Sequence, residues 1–158
     1  MHYRLREKLF AIGNDYWVED ENGDKVWKVN GKALRFRKTF ILETPDGDEV
    51  FKIQERKLRV HGTMKVERDG ETVATIKKAL VTPLRDRYSI DVEGGPEMHA
   101  KGNFVDHEYE VEREGHKVAE VSKRWFRVRD TYGIEVEPGE NDALMLAVAV
   151  CIDELSHD

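Results

Sequence analysis

The sequence predicts a mainly β protein, a twelve-stranded antiparallel closed barrel of sequential hairpins enclosing one hydrophobic C-terminal helix. Three observations predict it. A hairpin-length unit recurs along the chain, apolar side chains alternate with polar ones inside each unit, and ten apolar residues stand in a row near the end. A hydrophobic fraction of 39% across 158 residues is lean but sufficient for one folded core, so residues 1–158 read as a single domain. Strands are expected over about 5–136 and the helix over about 142–155.

An opening strand is expected near Leu5 to Ala11, and the repeated units follow. Tyr16-Trp-Val18 precedes Gly23 and Val26-Trp27-Lys-Val29; Phe40-Ile-Leu42 precedes Gly47 and Val50-Phe51-Lys-Ile53. In both, the aromatic residue lies seven before the glycine and the valine three after it. The unit returns one residue shorter as Met64-Lys-Val66, Gly70, Val73 to Ile76, and again as Tyr109-Glu-Val111, Gly115, Val118 to Val121. A looser copy runs from Tyr88 through Gly94-Gly95-Pro96 to Ala100. Asn22-Gly23, Asp46-Gly47 and Asp69-Gly70 supply the positive φ that tight hairpins need. Five hairpins, the opening strand and a closing strand near Thr131 to Val136 make twelve strands. Closing such a meander into a barrel removes its edges.

The tail departs from the period of two. Asn141 or Asp142 can cap a helix that carries the apolar run from Ala143 to Ile152, and Asp153 and Glu154 close that run. Ten helical residues rise only about 15 Å, whereas a membrane span needs roughly 20 apolar residues. The run therefore predicts a buried core helix and no transmembrane segment, with a strand over Val148, Val150 and Ile152 as the alternative. A helix apolar on all sides must be surrounded by protein, and a twelve-strand barrel is wide enough to do so.

This combination resembles the LURP-one-related family of the tubby C-terminal-like superfamily, relatives of the phospholipid scramblases. The resemblance covers essentially the whole chain and is carried by the units Phe40 to Ile53 and Tyr109 to Lys123. The closing Asp130-Thr-Tyr132-Gly-Ile-Glu-Val136 followed by the helix carries it too. It implies a barrel that encloses its C-terminal helix. For function it implies less: tubby domains bind phosphoinositide headgroups, scramblases are associated with calcium-dependent lipid movement, and many LURP-one-related members have no assigned activity.

Charge gives a direction to the search. The formal net charge of −6 argues against generic nucleic-acid binding, but a meander puts hairpin tips at one end and connectors at the other. The connectors are expected at 30–38, 55–62, 77–87, 101–108 and 123–131, and they hold sixteen bases against five acids. Among these bases the candidates for binding an anion or lipid are Arg35, Arg37, Lys38, Arg56, Lys57, Arg59, Lys77, Lys78, Arg85, Arg87, Lys123, Arg124, Arg127 and Arg129. The tips at 19–25, 43–49, 67–71, 93–97 and 112–117 reverse the balance, with fifteen acids against four bases. Arginine offers a planar fork to phosphate oxygens, and Trp125 and Phe126 can rest at a membrane interface or stack on a ligand. The plainer reading is that the charges solvate the surface and the aromatics finish the core.

Other classes are not expected. His2, His61, His99, His107, His116 and His157 are scattered, and there is no Cys-x-x-Cys, so no metal is expected. Asp130, Glu135, Glu137, Glu140 and Asp142 do not follow the EF-hand pattern. Nucleophile elbow, P-loop and dinucleotide fingerprint are all missing, so neither enzyme activity nor a cofactor is expected. Arg4, Arg6, Glu7 and Lys8 stand where a secretory apolar stretch would lie, and the lone Cys151 suits a reducing compartment, so a cytoplasmic location is expected. The leading expectation is a soluble, non-enzymatic module binding anionic membrane surfaces, lipid headgroups or phosphate ligands peripherally. A protein-interaction domain is the alternative, and scramblase-like lipid movement a further one.

Overall fold

The structure is a computed structural model and describes residues 1–6, 15–34, 37–55, 62–82, 85–125 and 131–156. The strands are β1 (His2–Arg6), β2 (Asp15–Glu19), β3 (Lys25–Leu34), β4 (Arg37–Glu43), β5 (Glu49–Glu55) and β6 (Thr63–Arg68). They continue as β7 (Glu71–Thr82), β8 (Arg85–Val92), β9 (Met98–Asn103), β10 (Glu108–Arg113), β11 (His116–Ser122) and β12 (Thr131–Val136), and α1 (Asp142–Ser156) follows. Each strand pairs with the next and β12 pairs with β1, so the sheet is a closed antiparallel barrel. The barrel that the repeat predicts, with its single C-terminal helix, is the fold the chain adopts.

The repeat is visible at the level of single hydrogen bonds. At the first tip Asp20 N donates to Asp24 O and Gly23 N to Asp20 O; 24 residues later Thr44 N donates to Asp48 O and Gly47 N to Thr44 O. Gly47 adopts φ +93°, the left-handed region that this turn requires. Four hairpins also share a β-bulge just before the tip, at Val18/Glu19, Leu42/Glu43, Val66/Glu67 and Val111/Glu112. A glutamate follows the last inward-facing residue each time. A bulge bends its strand and strengthens the local twist, which helps a meander curl into a barrel.

At the opposite end the strands run further than the sequence suggests. Residues 30–38 and 77–87 read as connectors, yet β3 continues to Leu34 and β7 to Thr82. The ladder persists through Ala33↔Lys38, Leu34↔Arg37, Leu80↔Asp86 and Thr82↔Arg85, which keeps backbone groups paired almost to the turn. The basic end is thus largely a rim of strand ends. The opening strand is β1 at His2–Arg6, and residues 7–11 of the expected strand lie outside the described residues.

Inward side chains of the strands meet the helix at the centre, with Leu5, Leu42, Ile53, Ile76, Ile90 and Ile134 out of reach of water. Met145 to Leu155 is buried throughout, so the apolar run is a helix and is covered on all sides. Asn141 is its N-cap: Oδ1 accepts from Leu144 N at 3.1 Å. The Tyr3 hydroxyl donates to Asp142, and Arg113 pairs with Glu140, Nη1 to Oε2 at 2.8 Å, which fixes the helix start at the acidic tips. The helix therefore runs from the acidic end to the basic rim.

Candidate functional site

A cleft of about 780 Å³ opens at the basic rim, over β8 to β11 and the last residue of α1. Its charged walls are Arg87, Lys101 and Arg124 on one hand and Glu108, Glu110 and Glu120 on the other, with Phe104, Val105 and Tyr109 as apolar lining. Strand alternation explains the charges. Tyr88, Ile90, Met98, Ala100, Tyr109 and Val111 face the core, so the intervening Arg87, Lys101, Glu108 and Glu110 face out.

The antiparallel register sets these side chains in a row. Arg87 is opposite Lys101, Lys101 opposite Glu110, and Glu110 opposite Glu120. Gly102 allows the row to close up: it sits at φ +138°, and a Cβ there would lie 2.5 Å from Glu108 O and 2.7 Å from Tyr109 Cα. Only glycine tolerates both the backbone and the contact.

Arg124 is held in place by its neighbours. Glu108 Oε1 accepts from Ser122 Oγ at 3.1 Å and from Lys123 N at 3.0 Å, and Ser122 Oγ accepts from Arg124 N and Nε. The guanidinium lies 3.7 Å from Glu108 Oε2 and 3.6 Å from Glu120 Oε1. Lys101 Nζ bonds Glu112 Oε1 at 2.9 Å. Both cations have carboxylate neighbours.

Below the cleft, aromatic rings close the barrel around the end of α1. Phe104 packs edge-on against Tyr88, centroids 4.6 Å apart, and lies 5.0 Å from Tyr109. His107 stacks on Tyr132 at 4.1 Å and meets Asp153 of α1 through Nε2. Burial, then the nearby Asp153 carboxylate, push the Tyr109 hydroxyl well above its ordinary pKa. Tyr109 is a neutral core group.

Of the basic residues that the sequence singles out, Arg87 and Arg124 come together at this cleft. Lys77 is nearby on β7, 4.0 Å from Asp91, and Lys78 N donates to Gly62 O. Lys123 is half-buried at the start of the last connector. Arg37 and Lys38 belong to β4 and Arg85 to β8, with their side chains outside the described residues, as are Arg35, Arg56, Lys57, Arg59, Arg127 and Arg129 altogether. Trp125 packs against the His2 ring, 5.0 Å between centroids, and Phe126 lies outside the described residues. Sequence reasoning missed the acidic wall, because it depends on cross-strand register. It also missed the His107–Asp153 pair, for which an acid directly after the apolar run is the available signal.

Among the described residues no group of three His, Cys, Asp or Glu side chains is placed to hold a metal ion. Glu140 and Asp142, two of the acids that do not follow the EF-hand pattern, are engaged by Arg113 and Tyr3. No helix among the described residues is long and apolar enough to cross a membrane.

The class is thus a closed twelve-stranded antiparallel barrel around a buried C-terminal helix, with a charged cleft at its rim. Within it the chain belongs to the LURP-one-related family, whose model matches residues 1–153. The fold is similar to the crystal structure of a protein from Arabidopsis thaliana, with a TM-score of 0.70, 14% identity, and coverage of 98% of this chain and 90% of that one. No curated protein matches the sequence.

Proposed function

We propose that the protein is a non-enzymatic binding module that takes phosphate-bearing ligands, including anionic lipid headgroups, at the basic rim of the barrel. The observation that carries this reading is the meeting of Arg87, Lys101 and Arg124 on one cleft beside Val105, which is 60% exposed. Guanidinium and ammonium groups bind phosphate oxygens through charge-assisted hydrogen bonds, and an exposed valine next to them suits the edge of a lipid layer. On this reading the protein meets membranes from the side and does not span them. Co-sedimentation with vesicles of anionic or neutral phospholipid across a salt series tests it, with inorganic phosphate added as a soluble competitor. Binding to anionic vesicles that weakens as salt rises is expected. Equal weak binding to both vesicle types, with no effect of phosphate, overturns it.

A second reading is supported by the opposite end. The tips carry fifteen acids against four bases, which suits a basic protein partner. Capture of a lysine-rich peptide that is lost on neutralising Glu93 and Glu97 would favour it.

A further inference from the structure

The row across the cleft has an unusual order of charge. Two cations, Arg87 and Lys101, are directly opposite one another, and next to them two carboxylates, Glu110 and Glu120, are directly opposite one another. Like charges in facing positions of an antiparallel pair are destabilising. Neighbouring groups relieve half of this arrangement. Lys101 turns to Glu112, and Glu120 has Arg124 at 3.6 Å. The remaining two, Arg87 and Glu110, have no side-chain hydrogen bond or ion pair among the described residues. A cation and a carboxylate are thus left without a direct bond in one cleft, two strands apart, with Lys117 acting on Glu110 only through space.

An anion alone would suit Arg87 but would leave Glu110 unbonded, whereas Glu120 is already met by Arg124 and by Lys117 Nζ at 3.2 Å. A ligand with both charges satisfies both sides. Neighbouring strands are about 4.8 Å apart, so Arg87 and Glu110 are about 10 Å apart at Cα, and their long side chains narrow that gap. A phosphate and an amine two carbons apart fit the remaining span. The C-terminal end of α1 reaches the same cleft through Ser156, and its partial negative charge favours the amine. A primary ammonium donates hydrogen bonds to a carboxylate, whereas a quaternary one needs open aromatic faces. Phe104 and Tyr109 are buried and packed together, so they offer no such cage.

We propose that the cleft between β8 and β11 recognises a phosphodiester bearing a primary ammonium group, the chemistry of a phosphoethanolamine headgroup, with Arg87 on the phosphate and Glu110 on the amine. This rests on the phosphate-binding reading and names the ligand class for it.

Titration of the full chain with glycerophosphoethanolamine, glycerophosphocholine and dimethyl phosphate at low ionic strength tests the proposal. The amine-bearing ligand is expected to bind roughly three- to tenfold more tightly than the other two, the range of an exposed charge pair. Glu110→Gln should remove that preference while dimethyl phosphate binding is kept, and Arg87→Gln should weaken all three. Vesicles of phosphatidylcholine with and without phosphatidylethanolamine separate a membrane source from a soluble one; a preference in either arm supports the proposal. Equal binding of all three ligands, with no preference between the vesicles, overturns it and leaves phosphate binding in place. No binding to any ligand or vesicle overturns both.

Discussion

His107 Nε2 lies 2.5 Å from Asp153 Oδ1, and neither side chain is more than 2% exposed. The pair ties the turn between β9 and β10 to the last turn of α1, while the His107 ring rests on Tyr132 of β12. His107 holds φ +53°, an uncommon backbone state for a residue with a side chain, which persists because the contacts around it over-determine the position. The same turn carries Phe104 and Val105 into the cleft. The cleft and the core helix are therefore joined through this buried contact as well as through Ser156.

Removing one partner of a buried pair leaves the other without its compensation. Asp153→Ala is expected to lower stability by about 3 kcal/mol in urea unfolding. A loss below about 1 kcal/mol would show that the pair does not hold the turn.

Gly102 and Gly47 separate two costs of adding a methyl group. Gly47→Ala meets nothing within 4 Å and bears only the backbone cost, about 1 kcal/mol. Gly102→Ala adds a collision with the β10 backbone, and a loss of about 3 kcal/mol is expected. Equal losses in thermal melts of the two variants would contradict the close approach of β9 to β10.

Alkaline pH should destabilise the barrel. Burial raises the Tyr109 and Tyr3 hydroxyls above the ordinary tyrosine value of about 10, with Asp142 adding its hydrogen bond and charge at Tyr3. Raised groups stay protonated in the folded state while the unfolded chain ionises. Their contribution is complete below about pH 10 and declines as pH rises above it. Tyr109→Phe should flatten the fall in stability above pH 10, measured against its own value at pH 8. An unchanged slope would count against a buried neutral hydroxyl.

Cys151 sits in the centre of α1, where burial pushes its thiol well above the usual range. The thiolate is the reactive form, so a disulfide reagent at pH 8 should label Cys151 only as fast as the barrel opens. Labelling that outruns unfolding would mean that the helix is reachable from outside.

The hairpins were legible in the sequence because the glycine tip and the alternation recur together. The turns at Asp20 to Asp24 and Thr44 to Asp48 are the same turn moved by 24 residues. The helix was legible from its length and its lack of a polar face. The cleft was legible only in part. Arg87 and Arg124 could be assigned to the basic end, but their neighbours Glu110 and Glu120 depend on pairing across strands. The bulge at Val111/Glu112 shifts that pairing by one residue inside the same hairpin, and no local residue pattern records which side of it a glutamate will face. The extension of β3 and β7 was hidden for a related reason, since basic residues on strand ends look like loop residues until a ladder is seen.

The position of α1 has a consequence for synthesis. All twelve strands wrap around a segment that the ribosome makes after every one of them. An emerging chain can form hairpins one by one, yet none can complete its core until residues up to about Ile152 have left the exit tunnel. Until then the inner faces of the strands stay open to other chains, so a pause in translation between β12 and α1 prolongs that exposure.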